Sequence, residues 1–291
     1  MSRYGLTGMR MLFVENQMLT EHTFAANGLT INYAVGPANG RPLLLLHGLM
    51  RRWQYMMPLI DALAADWQVF ALDLRGHGLS DRAPGGYRHY QNYVPDVAAF
   101  LQTQIAEPAV LFGHSLGGLI ALGAAARAPE QSQAVIAAES PLTPESILST
   151  IKLGAWAWVP QLAGRPVDKL YALLRMLDRR AADAYLRETA HELHHVDPET
   201  VRYWAEDRMA DLLVDYDIDL TLQRLARPLL LVQANVDNGG VTTDADVALA
   251  YKLHGDVTLA CLPAADHELG LNTNQPQPLL SVVAPFLARF R

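Results

Sequence analysis

Cysteine is almost missing from this chain. Cys261 stands alone among 291 residues, so no internal disulfide can staple the fold, and a reducing compartment, the cytoplasm, is expected. Charge is also sparse, at 18% of residues, with no basic run longer than Arg51-Arg52 or Arg179-Arg180. The formal net charge is −7, and no stretch concentrates the positive charge that a phosphate backbone demands, which excludes nucleic acid as an expected partner. No uninterrupted apolar run reaches the roughly 20 residues of a membrane span, so no membrane partner is expected. The opening MSRYGLTGMRMLFVENQ breaks its apolar run with Asn and Glu and shows no clear cleavage site. Internal repeats and low-complexity tracts are absent too. What is present is a core-forming composition, 51% hydrophobic, sufficient for one large domain or a domain carrying a big insertion. A monomer or homodimer is the expected assembly.

The apolar residues are grouped in short runs. TFAANGLTINYAV (23–35) alternates around Asn27-Gly28, a two-residue hairpin turn. Runs at Leu43–Leu46, Gln68–Leu72, Ala109–Phe112, Ala134–Ala138, Pro228–Val232 and Val257–Leu262 then recur, with helical patterns near Met57–Ala65, Val94–Ile105, Leu116–Ala128 and Pro278–Phe290. Continuous apolar strands alternating with helices predict an α/β fold with a mostly parallel sheet buried on both faces. Residues 142–226 interrupt the rhythm. They hold no strand pattern and read as consecutive helices laid over the sheet as a cap. The expected division is therefore 1–141 core, 142–226 helical cap and 227–291 core.

The chemistry concentrates in Phe112-Gly113-His114-Ser115-Leu116-Gly117-Gly118, a G-x-S-x-G motif directly after an apolar strand and before a helix. In that setting the serine sits on a strained strand-to-helix turn with its hydroxyl exposed, while small residues on either side let neighbouring chains approach. Leu43–Leu46 runs into His47-Gly48-Leu49, a tight turn where the Leu49 amide can join that of Leu116 in an oxyanion hole. His47 reads as a structural hydrogen-bonder in this turn. Asp73-Leu74-Arg75-Gly76-His77-Gly78-Leu79-Ser80-Asp81 follows the next strand, and its charges are expected to pair with one another and fix loops.

HGL after one strand, DLRGHGLSD after the next and GHSLGG after the third resemble the α/β-hydrolase superfamily, in order and spacing, over essentially the whole chain outside the cap. The resemblance implies a Ser–acid–His triad in that chain order, no cofactor, and a lid inserted after the sixth strand. It places the base in the loop past the last strand, where His267 follows Asp266 in the position usually held by glycine; His254, before that strand, is a weaker candidate. It offers two acids. Asp237, in Ala234-Asn235-Val236-Asp237, has the spacing of many members. Glu139, 24 residues after Ser115 and at the end of Ala134–Ala138, emerges at the same sheet edge. Glu139-Ser140-Pro141, with Gly239-Gly240-Val241-Thr242 later, resembles a subset that keeps its acid on the sixth strand, and Glu139 is the favoured choice.

His191-Glu192-Leu193-His194-His195 competes with this reading, because it fits H-E-x-x-H, the spacing by which two histidines hold zinc on one helix face. Three fixed positions make a weak match. Glu206, Asp207 and Asp211 are the conceivable third ligands, none in a recognised pattern. No metal site is expected. The expected activity is a serine hydrolase acting on a carboxylic ester or lactone of a small apolar substrate, with carbon–carbon, amide or carbamate hydrolysis, or a small-molecule receptor, as alternatives. Met50, Trp156 and Trp158 are the candidate pocket residues, with Met56 and Met57 nearby.

Overall fold

The computed structural model describes residues 10–14, 17–84, 86–151, 159–206 and 208–291. A strand β1 (Arg10–Val14) precedes the expected hairpin, which is formed by β2 (Gln17–Ala26) and β3 (Leu29–Val35). Asn27 and Gly28 adopt φ of 51° and 80°, the pair of left-handed positions a two-residue hairpin turn requires. Strands and helices then alternate: β4 (Pro42–Leu46), α1 (Met57–Leu63), β5 (Gln68–Leu72), α2 (Val94–Gln104), β6 (Ala109–His114), α3 (Leu116–Arg127) and β7 (Ser132–Ala138). Described helices alone follow: α4 (Pro144–Ile151), α5 (Val159–Leu162), α6 (Val167–Leu177), α7 (Asp183–His195), α8 (Pro198–Ala205), α9 (Met209–Leu213) and α10 (Ile218–Arg224). The alternation resumes with β8 (Leu229–Ala234), α11 (Asp244–Leu253), β9 (Val257–Leu262) and α12 (Gln277–Leu287). Because β1 stands ahead of the strands legible in the sequence, the strand expected as the sixth, Ala134–Ala138, is β7 of this chain, and the helical segment follows it as expected. No described helix is long and apolar enough to cross a membrane.

The strands form one sheet in the order β1-β2-β3-β5-β4-β6-β7-β8-β9, antiparallel from β1 to β5 and parallel from β5 to β9. Strand β4 shows how the sequence builds its two faces. Leu43 and Leu45 join the layer of α1 and α12, with Leu59, Ile60 and Val283. Leu44 and Leu46 join the layer of α2 and α3, with Val97, Phe100 and Ile120. All four leucines are fully buried, as a strand covered on both sides requires, and each stabilises the fold by about 1.5–3 kcal/mol. A third cluster, with Leu162, Leu170, Leu193 and Val201, lies within the helical segment, and Met50 from the turn after β4 packs against it.

The order matters for function. From β4 the chain moves to β5 on one side, then returns to β6 on the other, so the loops leaving β4 and β6 diverge and open a crevice at the carboxyl edge of the sheet. Gly48-Leu49 and Ser115 lie on those two loops.

One expectation about these loops is corrected. The charges of DLRGHGLSD do not pair with one another. Asp73 accepts the Trp53 and Leu79 amides at 2.8 and 2.9 Å and the Asn32 side chain at 2.8 Å; burial lifts its carboxyl to about 6. Arg75 instead forms a buried ion pair with Asp96 of α2 at 2.6 Å, and Asp81 accepts the Thr30 amide at 2.7 Å. Amides in these turns that have no backbone acceptor need one, and the carboxylates of Asp73 and Asp81 supply it.

Candidate active site

Ser115 stands between β6 and α3 with φ 53° and ψ −121°, a left-handed backbone that a serine adopts only when its surroundings impose it. Its amide donates to the Ala138 carbonyl at the end of β7, at 2.9 Å. The two motif glycines allow the bend. A Cβ on Gly113 would overlap the Gly117 carbonyl, and one on Gly117 would overlap the Leu46 carbonyl of β4. Gly117→Ala is therefore expected to cost about 3 kcal/mol or more in urea unfolding, because backbone cannot yield as a side chain does. Gly255→Ala, with open space around it, should stay within about 0.5 kcal/mol.

Four of the non-glycine residues with positive φ gather here: Met50, Ser115, Glu139 and Leu269. Each lies on a loop at the carboxyl edge of the sheet. Strain concentrated this way marks a site that the fold holds in place.

Glu139 is fully buried just past β7. Its Oε1 accepts the Ala234 amide at 2.6 Å, and its Oε2 accepts the Val241 amide at 2.6 Å. Two backbone donors from the β8 edge and its following loop thus orient the carboxylate, and Oε2 also meets His267 Nδ1 at 3.3 Å. That separation is slightly longer than the roughly 2.7–3.2 Å of a well-made bond. With Nδ1–H directed at Glu139, Nε2 is left as the acceptor. Asp237 is placed elsewhere. It lies exposed on a short turn, Val236–Asn238, and takes no part in the lining of the cavity.

Ser115 and His267 line one cavity of about 330 Å³, together with Leu49, Met50, Leu116 and Leu119. Its roof includes Thr150 of α4 and Tyr185 and Thr189 of α7. The Leu116 amide opens α3, where an amide has no acceptor within the helix. Met50 lines this cavity as expected; Trp156 and Trp158 lie outside the described residues. Met56 is buried in the core below, and Met57 borders a second, neighbouring cavity.

Two histidines next to the site have structural work. His47 Nδ1 donates to the Gly48 carbonyl at 2.7 Å while Nε2 accepts the Leu74 amide at 3.0 Å, so both ring nitrogens tie turns together. His114, the variable residue of the G-x-S-x-G motif, donates from Nε2 to the His267 carbonyl at 2.7 Å and braces the base from behind. Burial, helped by the neighbouring His267, lowers His114 to about 3 and keeps it neutral. Its brace was not legible in the sequence, because any residue satisfies that position of the motif.

The H-E-x-x-H stretch does not converge. His191 is exposed on α7, and His195 donates from Nδ1 to the His191 carbonyl at 2.8 Å. Glu192 turns inward and pairs with Arg51 at 2.6 Å. Asp211 pairs with Arg208 at 3.1 Å, and Asp207 lies outside the described residues. Among the described residues no group of three or more His, Cys, Asp or Glu is placed to hold a metal. Sequence reasoning read Glu192 only as part of a zinc pattern and passed over Arg51 and Glu268. The only sequence signal was their position, beside the oxyanion turn and directly after His267.

The elbow at Ser115 and the strand order around it make the chain an α/β serine hydrolase. It belongs to the family described as Serine aminopeptidase, S33, which residues 39–274 match. A 2-(acetamidomethylene)succinate hydrolase of Mesorhizobium japonicum is 25% identical over 272 residues, covering 86% of this chain and 88% of the relative. A putative carbamate hydrolase, RutD, of Variovorax paradoxus is 29% identical over 255 residues, covering 82% and 90%. Among solved structures, Est816, an N-acyl homoserine lactone degrading enzyme, superposes with a TM-score of 0.68 at 20% identity over 91% of this chain and 100% of that one, a likeness of fold.

Proposed function

We propose that the chain hydrolyses a carboxylic ester or lactone of a small, largely apolar substrate through an acyl-enzyme. The observation that carries this reading is the buried Glu139 carboxylate against Nδ1 of His267, which shares the wall of one cavity with Ser115. Ser115 Oγ attacks the carbonyl carbon as its proton passes to His267 Nε2. The Leu49 and Leu116 amides hold the oxyanion. When the tetrahedral intermediate collapses, the carbon–oxygen bond breaks and the alcohol leaves with the proton from Nε2. Water, deprotonated by Nε2, then attacks the acyl carbon and releases the acid and Ser115. Glu139 orients the imidazole and stabilises its cationic form throughout. The volume of the cavity, near the lower end of the ~300–1,000 Å³ range for small-molecule sites, and its leucine and methionine walls favour a compact apolar acyl group.

The same triad serves C–N bonds, and the carbamate and acetamido compounds in the relatives' names support amide or carbamate hydrolysis as a second reading. A fluorophosphonate label, followed by peptide mass spectrometry, should leave a single adduct on Ser115. Multiple-turnover assays would then compare p-nitrophenyl esters, γ-lactones, p-nitroanilides and carbamates, each with and without EDTA. Sustained ester or lactone turnover unaffected by EDTA supports the proposal. Faster turnover of anilides or carbamates moves the assignment to the second reading, and the absence of both label and turnover sinks both.

A further inference from the structure

Arg51 follows the oxyanion turn and lines both the nucleophile cavity and its larger neighbour, a cavity of about 980 Å³ that shares Tyr185 and Thr189 with it. An arginine free to bond there would suit a substrate carboxylate, since its planar fork matches that group with two parallel bonds. Here the fork is already occupied on both prongs. Nη1 donates to Glu192 Oε2 at 2.6 Å, and Nη2 donates to Glu268 Oε1 at 2.7 Å. The guanidinium carbon sits 4.9 Å from the centroid of the Tyr55 ring, whose hydroxyl donates to the other oxygen of Glu268 at 2.6 Å. A single cation therefore faces two glutamates from two different elements, Glu192 on α7 and Glu268 on the loop after β9, and neither of its prongs is left free.

The rest of the wall does not restore positive charge. Among the described residues lining the nucleophile cavity, Arg51 is the one Lys or Arg, His114 is held neutral, and Glu268 reaches the cavity itself. Arg52, the adjacent cation, is taken by Glu188 of α7 through paired bonds of 2.8 Å. Behind His267 lies the additional carboxylate of Glu139. A substrate carboxylate entering here would meet Glu268 without a free cation to receive it, and like charges brought together repel.

We propose that Arg51 and its two glutamates act as a charge filter, so that the site takes acyl groups that are neutral or cationic and rejects those carrying a carboxylate. The inference rests on the serine-ester reading above for its kinetic form, and on the cavity alone for its binding form. The test uses three p-nitrophenyl esters of matched length: the hemiester of adipic acid, its methyl ester, and the 6-aminohexanoate. The wild type should show kcat/KM for the neutral methyl ester at least about ten-fold above the anionic hemiester, with the aminohexanoate equal to or above the neutral one. Glu268→Gln, which keeps an acceptor for Arg51 and removes one charge, should narrow the neutral-to-anionic ratio to about three-fold or less. Calorimetry of the same three esters on Ser115→Ala reads the same preference as Kd, whether or not the wild type turns any of them over. Equal or tighter handling of the hemiester, or failure of Ser115→Ala to bind any of the three, overturns the filter. A tighter Kd for the neutral ester with no turnover in the wild type supports the filter and defeats the ester reading instead.

Discussion

Ser115→Ala should reduce ester turnover to background, and Glu139→Gln should lower kcat by about 10³–10⁴-fold, while Asp237→Asn stays within about two-fold. The asymmetry between the two acids follows from their surroundings. Glu139 has no exposure, and its carboxylate is fixed by the Ala234 and Val241 amides before it meets His267. Gln at that position places an N–H₂ group against backbone donors or against Nδ1–H. Either arrangement breaks a bond and leaves the imidazole free to adopt the wrong tautomer. KM should change little, because Glu139 does not line the cavity. A loss of about 1–3 kcal/mol in stability should accompany the kinetic loss, from the buried donors left without an acceptor. Steady-state kinetics on all three variants, with melting curves to establish that each is folded at the assay temperature, checks the prediction. Asp237→Asn losing more activity than Glu139→Gln would reverse the assignment of the acid.

Arg51→Ala should destabilise the protein by about 3–5 kcal/mol, the cost of stranding buried charge, and the deficit should grow as pH rises. Burial raises the Glu192 carboxyl to about 7, with Arg51 only partly offsetting it. Burial also works to raise Glu268, but there the charge of Arg51 and the Tyr55 hydroxyl win and bring it down to about 2. A group whose folded pKa lies above its unfolded value contributes stability that is present below the unfolded pKa and lost as pH climbs through the folded one. For Glu192 that window runs from the ordinary carboxylate value of 4.5 to about 7. Without Arg51 both glutamates shift upward, so the native state binds more protons than the unfolded one across a wider range. The variant should therefore come closest to the wild type near pH 5 and fall furthest behind near pH 8. Glu192→Gln, which keeps an acceptor for Arg51, should cost much less than Arg51→Ala and flatten the decline between pH 5 and 7. Urea unfolding at these pH values measures both. An Arg51→Ala deficit that shrinks with rising pH would show that the pair is not held as described.

The elbow at Ser115, the turn after β4 and the loop that carries the proposed base were legible because their signals are local. A strand must run into a turn and a helix within a few residues, and G-x-S-x-G between Ala109–His114 and Leu116–Arg127 contains all of that information. The parallel sheet was legible for the same reason, since strands buried on both faces are written as unbroken apolar runs. The short strand ahead of the hairpin carries such a run, Met11–Val14, but it was weighed only as part of a leader segment, and the strand was missed.

The acid was not legible in this way. Asp237 and Glu139 both end strands at the correct edge, and the choice depends on whether the amides of residues 234 and 241 converge on residue 139, which no local spacing records. Glu192 makes the same point more sharply. Read along the chain it belongs to a zinc pattern, but one step along a helix turns a side chain through about 100°, so His191 faces solvent while Glu192 faces the core. Its partner, Arg51, lies 141 residues away in sequence, and Arg51's other partner, Glu268, lies 217 residues away. By itself the sequence determined the fold and the sharp strand-to-helix turn at Ser115, both specified by short-range pattern, and it proposed Ser115 and His267 as nucleophile and base. The tertiary structure alone decided which carboxylate faces the base and which charges surround the nucleophile, because those depend on segments that meet only when the sheet and its covering helices have packed.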